Sequence, residues 1–224
     1  MKVLIFDSGT LITLSINCIL NVITGLKSNF NGKFLITKEV ENEIIKRPLN
    51  IKKFKLGAMR LKVLIEDKIL EFPDSIGINH NEISNIGINF MNSANTTFFV
   101  ENKPIHIIDL GEASILGLTK ILNKKGIENI IAMDERTTRM LCEKPENLRK
   151  LLEKKLHHKI KINKNKVQDF SNIKFIRSTE LIYVAYKKGI FKNQSKEFLD
   201  ALLYGAKFKG AAISSDEIKE IEEL

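Results

Sequence analysis

The sequence predicts an α/β fold with a central, mainly parallel sheet. Three observations support this prediction. Short apolar runs of strand length alternate with longer segments of helical spacing, the strand-like runs are continuously apolar, and turn or cap residues follow them. The 224 residues are enough for one large domain with a buried core, and the chain shows neither an internal repeat nor a flexible linker. A single domain over residues 1–224 is therefore expected.

The first third of the chain reads as two strand–helix units followed by a further helix. An apolar run leads into the turn DSGT, and a second run ends at Thr37, a typical N-cap residue. Pro48 stops the helix that Thr37 starts. The predicted elements are a strand at 3–6, a helix at 10–26, a strand at 34–36, a helix from Thr37 to Arg47 and a helix at 51–69.

The pattern is weak over 73–104, which is rich in Asn, Gly and Ser and predicts a short helix within irregular chain. Beyond it the alternation resumes, and the last helix opens with the capping box formed by Ser214 and Glu217. The predicted elements are strands at 105–108, 129–133 and 173–176, and helices at 112–125, 135–157, 179–188, 195–209 and from Ser214 onward.

Composition excludes several classes of protein. Cys18 and Cys142 stand alone in apolar helical patterns, which argues against disulfide and zinc frameworks. No apolar run approaches the ~18–20 residues of a membrane helix, and Asp7 interrupts the N-terminal run before it could serve as a secretory signal. A cytoplasmic protein with no membrane partner is expected. The net charge of +9 supports a polyanionic partner only weakly, because the whole sequence is biased toward Lys.

Four acidic residues occupy positions that a parallel sheet brings to one edge. Asp7 and Asp134 follow strands, and Glu43 and Glu112 lie about one turn inside helices. Carboxylates packed together repel one another and raise one another's pKa, and a hard divalent cation relieves this repulsion. The sequence therefore predicts a site for Mg²⁺ or Mn²⁺ at that edge.

The segments around these residues are DSGTLITL, TKEVENEIIKRP, IDLGEASIL and AMDERTTRML. In this order and at these separations they resemble the PIN-domain nuclease family, over residues 2–48 and 105–141. The region 177–224 is also similar to the C-terminal part of prokaryotic members. The resemblance implies a three-layer α/β/α PIN-like fold. It also implies a metal-dependent endoribonuclease, of the kind found in toxin–antitoxin pairs and in RNA processing.

Carried over residue by residue, the family's catalytic acids fall on Asp7, Glu43, Glu112 and Asp134. The third position departs from the family, where it is more often Asp. Metal-assisted hydrolysis of an RNA phosphodiester bond is the implied reaction. Asp7, Glu112 and Asp134 would bind one or two Mg²⁺ or Mn²⁺ ions, and Glu43 would bind a second ion or orient water. Thr10 and Thr137 would position water or phosphate.

The partners implied are single-stranded or structured RNA, with a homodimer and an antitoxin-type inhibitor as further possibilities. Two segments depart from the family pattern, the polar one at 73–104 and a basic insertion at 144–170. A basic run is usually a solvated helix face, but it is also the electrostatic footprint of phosphate contact. Arg139 is read either as an RNA contact or as an ion-pair partner within the acidic cluster. The candidate RNA-contacting residues are Thr10, Thr137, Arg139, Arg149, Lys150, Lys154 and Lys155.

Two other enzyme classes fail on their chemistry. A haloacid-dehalogenase-type loop would place Ser8 where a second Asp is needed and Phe6 where the nucleophile is needed. Phosphate-binding and dinucleotide-binding folds lack their glycine pattern after any strand. The alternative that remains is a catalytically inactive PIN-like protein that binds RNA or serves in assembly.

Overall fold

The computed structural model describes residues 1–223, and over this range the chain forms seven strands in two sheets. The strands are β1 (Lys2–Phe6), β2 (Gly32–Leu35), β3 (Phe98–Val100), β4 (Lys103–Pro104), β5 (Glu128–Ala132), β6 (Ile160–Ile162) and β7 (Phe175–Ile176).

The same range contains twelve α-helices. They are α1 (Ser8–Ile16), α2 (Asn21–Ser28), α3 (Lys38–Glu41), α4 (Lys55–Glu66), α5 (His80–Ala94), α6 (Leu110–Lys124), α7 (Arg136–Glu143), α8 (Pro145–Leu156), α9 (Lys164–Val167), α10 (Ser178–Lys187), α11 (Lys196–Phe208) and α12 (Ser215–Glu223). A π-helical turn, Asn42–Lys46, continues α3.

The main sheet has the strand order β2-β1-β5-β7, and every neighbouring pair is parallel. Its central strand β1 is buried from Val3 to Phe6, as expected for a strand covered on both faces. Helices flank the sheet: α1, α2, α10 and α11 pack in one connected set, whereas α5 packs along α6. The predicted three-layer α/β/α arrangement with a mainly parallel sheet is confirmed.

The register of the main sheet aligns the carboxyl ends of three strands. Phe6 pairs with Ala132, and Ala132 pairs with Ile176. The chain from β1 leads to β2 on one side, and the chain from β5 leads to β7 on the other. The gap between β1 and β5 is therefore the point at which the winding reverses, where open parallel sheets bind their ligands.

The prediction of a short helix in irregular chain over 73–104 is wrong, because α5 runs for fifteen residues. Asn79 caps it by accepting a hydrogen bond from the Asn81 N–H at 2.8 Å. Its buried face includes a glycine, which weakens the apolar signal. The buried positions of α5 are Ile83, Gly87, Phe90 and Ala94.

Residues 105–108 are also not a strand, although their sequence predicts one. The side-chain oxygen of Asn95 accepts hydrogen bonds from the N–H groups of Ile107 and Ile108, at 2.6 and 3.0 Å. A side chain thereby satisfies backbone groups that a neighbouring strand would otherwise satisfy.

Two helices that the sequence predicts as continuous are each broken. The helix predicted at 10–26 is divided between α1 and α2, with Cys18 in the left-handed region at φ 58°. The helix predicted at 135–157 is divided between α7 and α8 at Lys144, which adopts φ −145° ahead of Pro145. The proline ring disfavours helical geometry in the residue before it, so α7 ends there.

The second sheet joins segments 73–104 and 144–170. β3 and β4 form a hairpin whose turn residues, Glu101 and Asn102, both have positive φ, and β3 also pairs antiparallel with β6. The rings of Phe90, in α5, and of Phe170, just after α9, lie 5.5 Å apart between centroids. Segments 73–104 and 144–170 therefore pack against each other.

In the described range, no single helix has both the length and the apolar content needed to cross a membrane. The pair α1 and α2 meets that criterion only when taken together, and the two helices are bent by 114° relative to each other.

Candidate functional site

Asp7 lies at the end of β1 and begins the site. It is the N-cap of α1, and its Oδ2 accepts a hydrogen bond from the Gly9 N–H at 3.2 Å. Its own N–H donates to the carbonyl oxygen of Ala132 at 2.9 Å, which joins the ends of β1 and β5. The side chain is buried, and its removal from water disfavours the charged form.

Asp134 occupies the corresponding position beyond β5 and is also buried. Its Oδ1 accepts a hydrogen bond from the backbone N–H of Ser178, the first residue of α10, at 2.8 Å. Its Oδ2 is buried and has no hydrogen-bond partner within residues 1–223. A buried carboxylate oxygen without a donor is costly, and a bound cation would remove that cost.

Glu43 reaches the site from the π-helical turn after α3. Such turns are rare and occur frequently at functional sites. Its carboxylate lies directly over Gly111, in the first turn of α6, so closely that any β-carbon at position 111 would overlap Oε1. Glycine at this position therefore leaves the space that the carboxylate occupies.

Glu112, the neighbour of Gly111, is half-buried. Its Oε2 accepts a hydrogen bond from the backbone N–H of Asp109 at 2.5 Å, so it caps the start of α6. The structure thus gives this carboxylate a structural contact as well as a place near the other acids. Asp109 itself is exposed and contacts His106 at 2.7 Å.

The acids influence one another's protonation. The pKa of Asp7 is raised to about 7, mainly by burial and also by the charges of Glu43 and Asp134, although hydrogen bonds from the Gly9 and Ser8 N–H groups act in the opposite direction. The pKa of Glu112 is raised to about 8, mainly by burial and also by the charges of Asp7 and Glu135, although the hydrogen bond from the Asp109 N–H opposes the rise. The four predicted acids therefore belong to one electrostatic neighbourhood.

These acids fit a hard divalent cation in donor chemistry, because all are oxygen donors and one oxygen of Asp134 is unsatisfied. They are not already arranged as a ligand set: over residues 1–223, no three Asp, Glu, His or Cys side chains are placed to hold one ion. The four acids therefore match a divalent cation in charge and in donor type. Their side chains would have to move closer together to bind one ion.

The remaining predicted residues near this edge differ in what they contact. Thr10 is fully buried, and its hydroxyl lacks a hydrogen-bond partner in the described part of the chain. Thr137 lies half-buried in the first turn of α7, where its N–H donates to Glu135 at 2.8 Å. Glu135 is thus the N-cap of α7.

Arg139 forms no ion pair with a carboxylate among residues 1–223, so its reading as an ion-pair partner in the acidic cluster is wrong. Its guanidinium donates to backbone oxygens, those of Glu135 at 3.4 Å and Ala212 at 3.3 Å. Its reading as an RNA contact stays a prediction.

The basic candidates of α8 fall into two groups. Arg149 is bound by two carboxylates, with Glu146 at 2.8 Å and Glu153 at 2.6 Å. Lys150, Lys154 and Lys155 are exposed. The three lysines are therefore free of the neutralising contacts that hold Arg149.

The local sequence pattern does not mark Ser178 or Gly111 as parts of the site. Ser178 acts through its backbone N–H, which carries no side-chain signature, and it lies 44 residues from the carboxylate that it contacts. Gly111 could have been found from its place beside Glu112 in a helix start, since a glycine there points to a close approach.

Comparison with protein-family models, with curated proteins and with solved structures finds no match to this chain. The chemistry of these residues therefore carries the assignment of function.

Proposed function

We propose that this protein is a PIN-like, metal-dependent endoribonuclease whose site is formed by Asp7, Glu43, Glu112 and Asp134. The observation that carries the proposal is the unpartnered Oδ2 of Asp134 beside Asp7, a buried carboxyl whose pKa is raised to about 7. Such an arrangement is unfavourable for folding in itself and is typical of sites that hold a cation.

The edge at which these acids lie also suits a phosphate-bearing substrate. The N-termini of α1, α7 and α10 follow three adjacent strand ends, and the partial positive charge of a helix N-terminus favours an anion. Acids that hold a cation and helix starts that favour phosphate would act on opposite sides of the same phosphodiester group.

In the proposed mechanism Asp7, Glu112 and Asp134 would hold Mg²⁺ or Mn²⁺, which would supply a Lewis acid that makes water more acidic and shields the negative charge of the phosphate. Glu43, held over Gly111, accepts a proton from the attacking water or orients that water. Ser178 fixes Asp134 through its N–H. The Thr10 hydroxyl is fully buried, so it would have to become accessible before it could position water or a phosphate oxygen.

The first test is calorimetric titration of Mn²⁺ into the wild type, Asp7→Asn and Asp134→Asn. We expect saturable binding in the wild type and its loss in both variants, because two residues 127 positions apart then belong to one site. Asp67→Asn, at an exposed acid that ends α4, is the matched control and should bind as the wild type does.

The second test is cleavage of fluorescently labelled RNA in the presence of Mn²⁺. Asp7→Asn should reduce the rate by a factor of 10² or more. It should keep the fold, since Asn is as good an N-cap as Asp. Cleavage that persists in Asp7→Asn would exclude this site. RNA binding with neither cleavage nor metal binding would favour the alternative, an inactive PIN-like protein that binds RNA.

A further inference from the structure

A cleft lies between α7 and the chain that runs from Lys207 to Glu217. Its volume is about 600 Å³. Four basic side chains line it, which are Arg136, Arg139, Lys144 and Lys207. None of the four belongs to the proposed cation-binding site, which is formed by acidic residues.

Arg139 is half-buried. Burial lowers its pKa and the charge of Arg177 lowers it further, whereas the charges of Glu143, Glu180 and Asp134 act in the opposite direction. Over the described residues it has no carboxylate within ion-pair distance, and its two long hydrogen bonds go to carbonyl oxygens. A partly buried guanidinium held beside another arginine is unfavourable unless an anion comes to it.

The other charges of the cleft strengthen this electrostatic preference. Arg136 and Lys144 are exposed at the two ends of α7, and Lys207 is half-buried, with its ammonium group donating to the Ser215 hydroxyl at 2.6 Å. Of the two acids that line the cleft, Glu217 is bound by Arg177 at 2.6 Å, which leaves Glu143. Positive charge therefore predominates in the cleft.

The cleft opens beside the acidic site. Arg136 is two residues beyond Asp134, and the charge of Asp134 acts on Arg139. If one phosphate of a nucleic-acid backbone lay at the acids, the next phosphates would lie along α7. A positively charged groove that follows the backbone is how single-stranded nucleic acids are commonly held.

We propose that this cleft binds the phosphodiester backbone of RNA on one side of the cleaved bond, with Arg139 and Arg136 as the phosphate contacts. The inference rests on the proposed function for its substrate, and it adds the binding surface. The exposed lysines of α8 form the alternative RNA-binding surface, and they are Lys150, Lys154 and Lys155.

The test measures binding and its salt dependence without cleavage. The probe is a fluorescein-labelled single-stranded RNA of about twelve uridines in EDTA, titrated by fluorescence anisotropy over a range of KCl concentrations. Arg139→Gln and Arg136→Gln should each weaken binding at low salt, by about tenfold, and lower the slope of log K against log salt by about 0.7. Lys125→Gln, at an exposed lysine that ends α6 at the opposite edge of the sheet, should leave both quantities unchanged.

Arg136 and Lys144 are exposed, so Arg136→Gln and Lys144→Gln decide the test if Arg139→Gln does not fold. A wild-type slope in these variants overturns the inference. So does a loss confined to Lys154→Gln, which would place the RNA on α8, or an equal loss in Lys125→Gln.

Metal-dependent cleavage separates the two proposals. Cleavage that is lost in Asp7→Asn, combined with wild-type RNA binding in the cleft variants, would leave the enzyme proposal standing and remove the cleft. If the salt slope is reduced in the cleft variants but the wild type does not cleave RNA, the cleft proposal stands and the enzyme proposal falls.

Discussion

The backbone N–H of Ser178 donates to Oδ1 of Asp134 at 2.8 Å, so the first residue of α10 orients a carboxylate from a neighbouring strand end. Arg177, the residue before it, is held in turn by Glu180 at 2.8 Å and by Glu217 of α12 at 2.6 Å. The position of Asp134 therefore depends on two helices, α10 and α12, that contribute no acid to the site.

Ser178→Pro should remove this hydrogen bond at little cost to the helix. Proline is well accepted at the first helical position, and Arg177, at φ −92° and ψ 163°, already has the extended geometry that a following proline requires. We expect affinity for Mn²⁺ to fall about tenfold by calorimetry. Ser178→Ala is the matched control because it loses the hydroxyl and keeps the N–H; equal affinity in the two variants would contradict this role.

The buried acids should make stability depend on pH. The pKa values of Asp7 and Glu112 are raised in the folded state, to about 7 and about 8. Their stabilising contribution is complete below the unfolded pKa values and is lost as pH rises through 7–8. The free energy of unfolding in EDTA should fall by roughly 1–3 kcal/mol between about pH 5 and pH 9.

Urea denaturation at a series of pH values measures this fall. Asp7→Asn should reduce it, because one of the two buried titrating groups is gone. Mn²⁺ should restore stability at high pH in the wild type and not in Asp7→Asn. A fall of unchanged size in Asp7→Asn would show that other groups cause it.

Gly111→Ala should displace Glu43, because the added β-carbon overlaps the carboxylate. The obstacle is the end of a flexible side chain, so we expect little change in melting temperature and about a tenfold loss of cleavage rate. Gly57→Ala, in α4, places its β-carbon no closer than 3.4 Å to Ser15 and serves as the control for alanine in a helix. A loss of activity shared by both variants would argue against the role of Glu43.

Phe170→Ala should destabilise the fold by about 3–5 kcal/mol, since Phe170 is fully buried against Phe90 and its removal leaves a cavity. Phe208→Ala is the matched control, because Phe208 is 76% exposed, and it should change stability by less than about 0.5 kcal/mol. Thermal unfolding distinguishes the two. A small effect of Phe170→Ala would mean that segments 73–104 and 144–170 are only loosely joined.

The sequence predicts the parts of this fold that depend on local pattern. Residues 3–6 of β1 and 130–132 of β5 are continuously apolar, and Asp7 and Asp134 follow the ends of these strands as expected. Thr37 caps α3, accepting a hydrogen bond from the Val40 N–H at 3.3 Å, and Ser214 caps α12. These features need only neighbours in sequence.

The features that the sequence missed depend on distant partners. Helix α5 is hidden by its Asn and Gly content, yet Gly87 is where α6 approaches: a β-carbon there would lie 3.1 Å from the Ala113 carbonyl oxygen. Residues 105–108 do not pair as a strand, because the side-chain oxygen of Asn95 accepts hydrogen bonds from two of their N–H groups. The Ser178 N–H cannot be recognised from sequence, because every residue except proline has such a donor and its acceptor, Asp134, is 44 residues away.

The antiparallel pairing of β3 with β6 has a consequence for how this chain can be shortened. Deleting 144–170 alone would leave β3 with one neighbour and an open edge, and would uncover Phe90. Deleting 73–104 alone would remove β3 and leave β6 without its partner strand. A shortened version of this protein would therefore have to lose β3, β4 and β6 together and to keep α5, which covers α6.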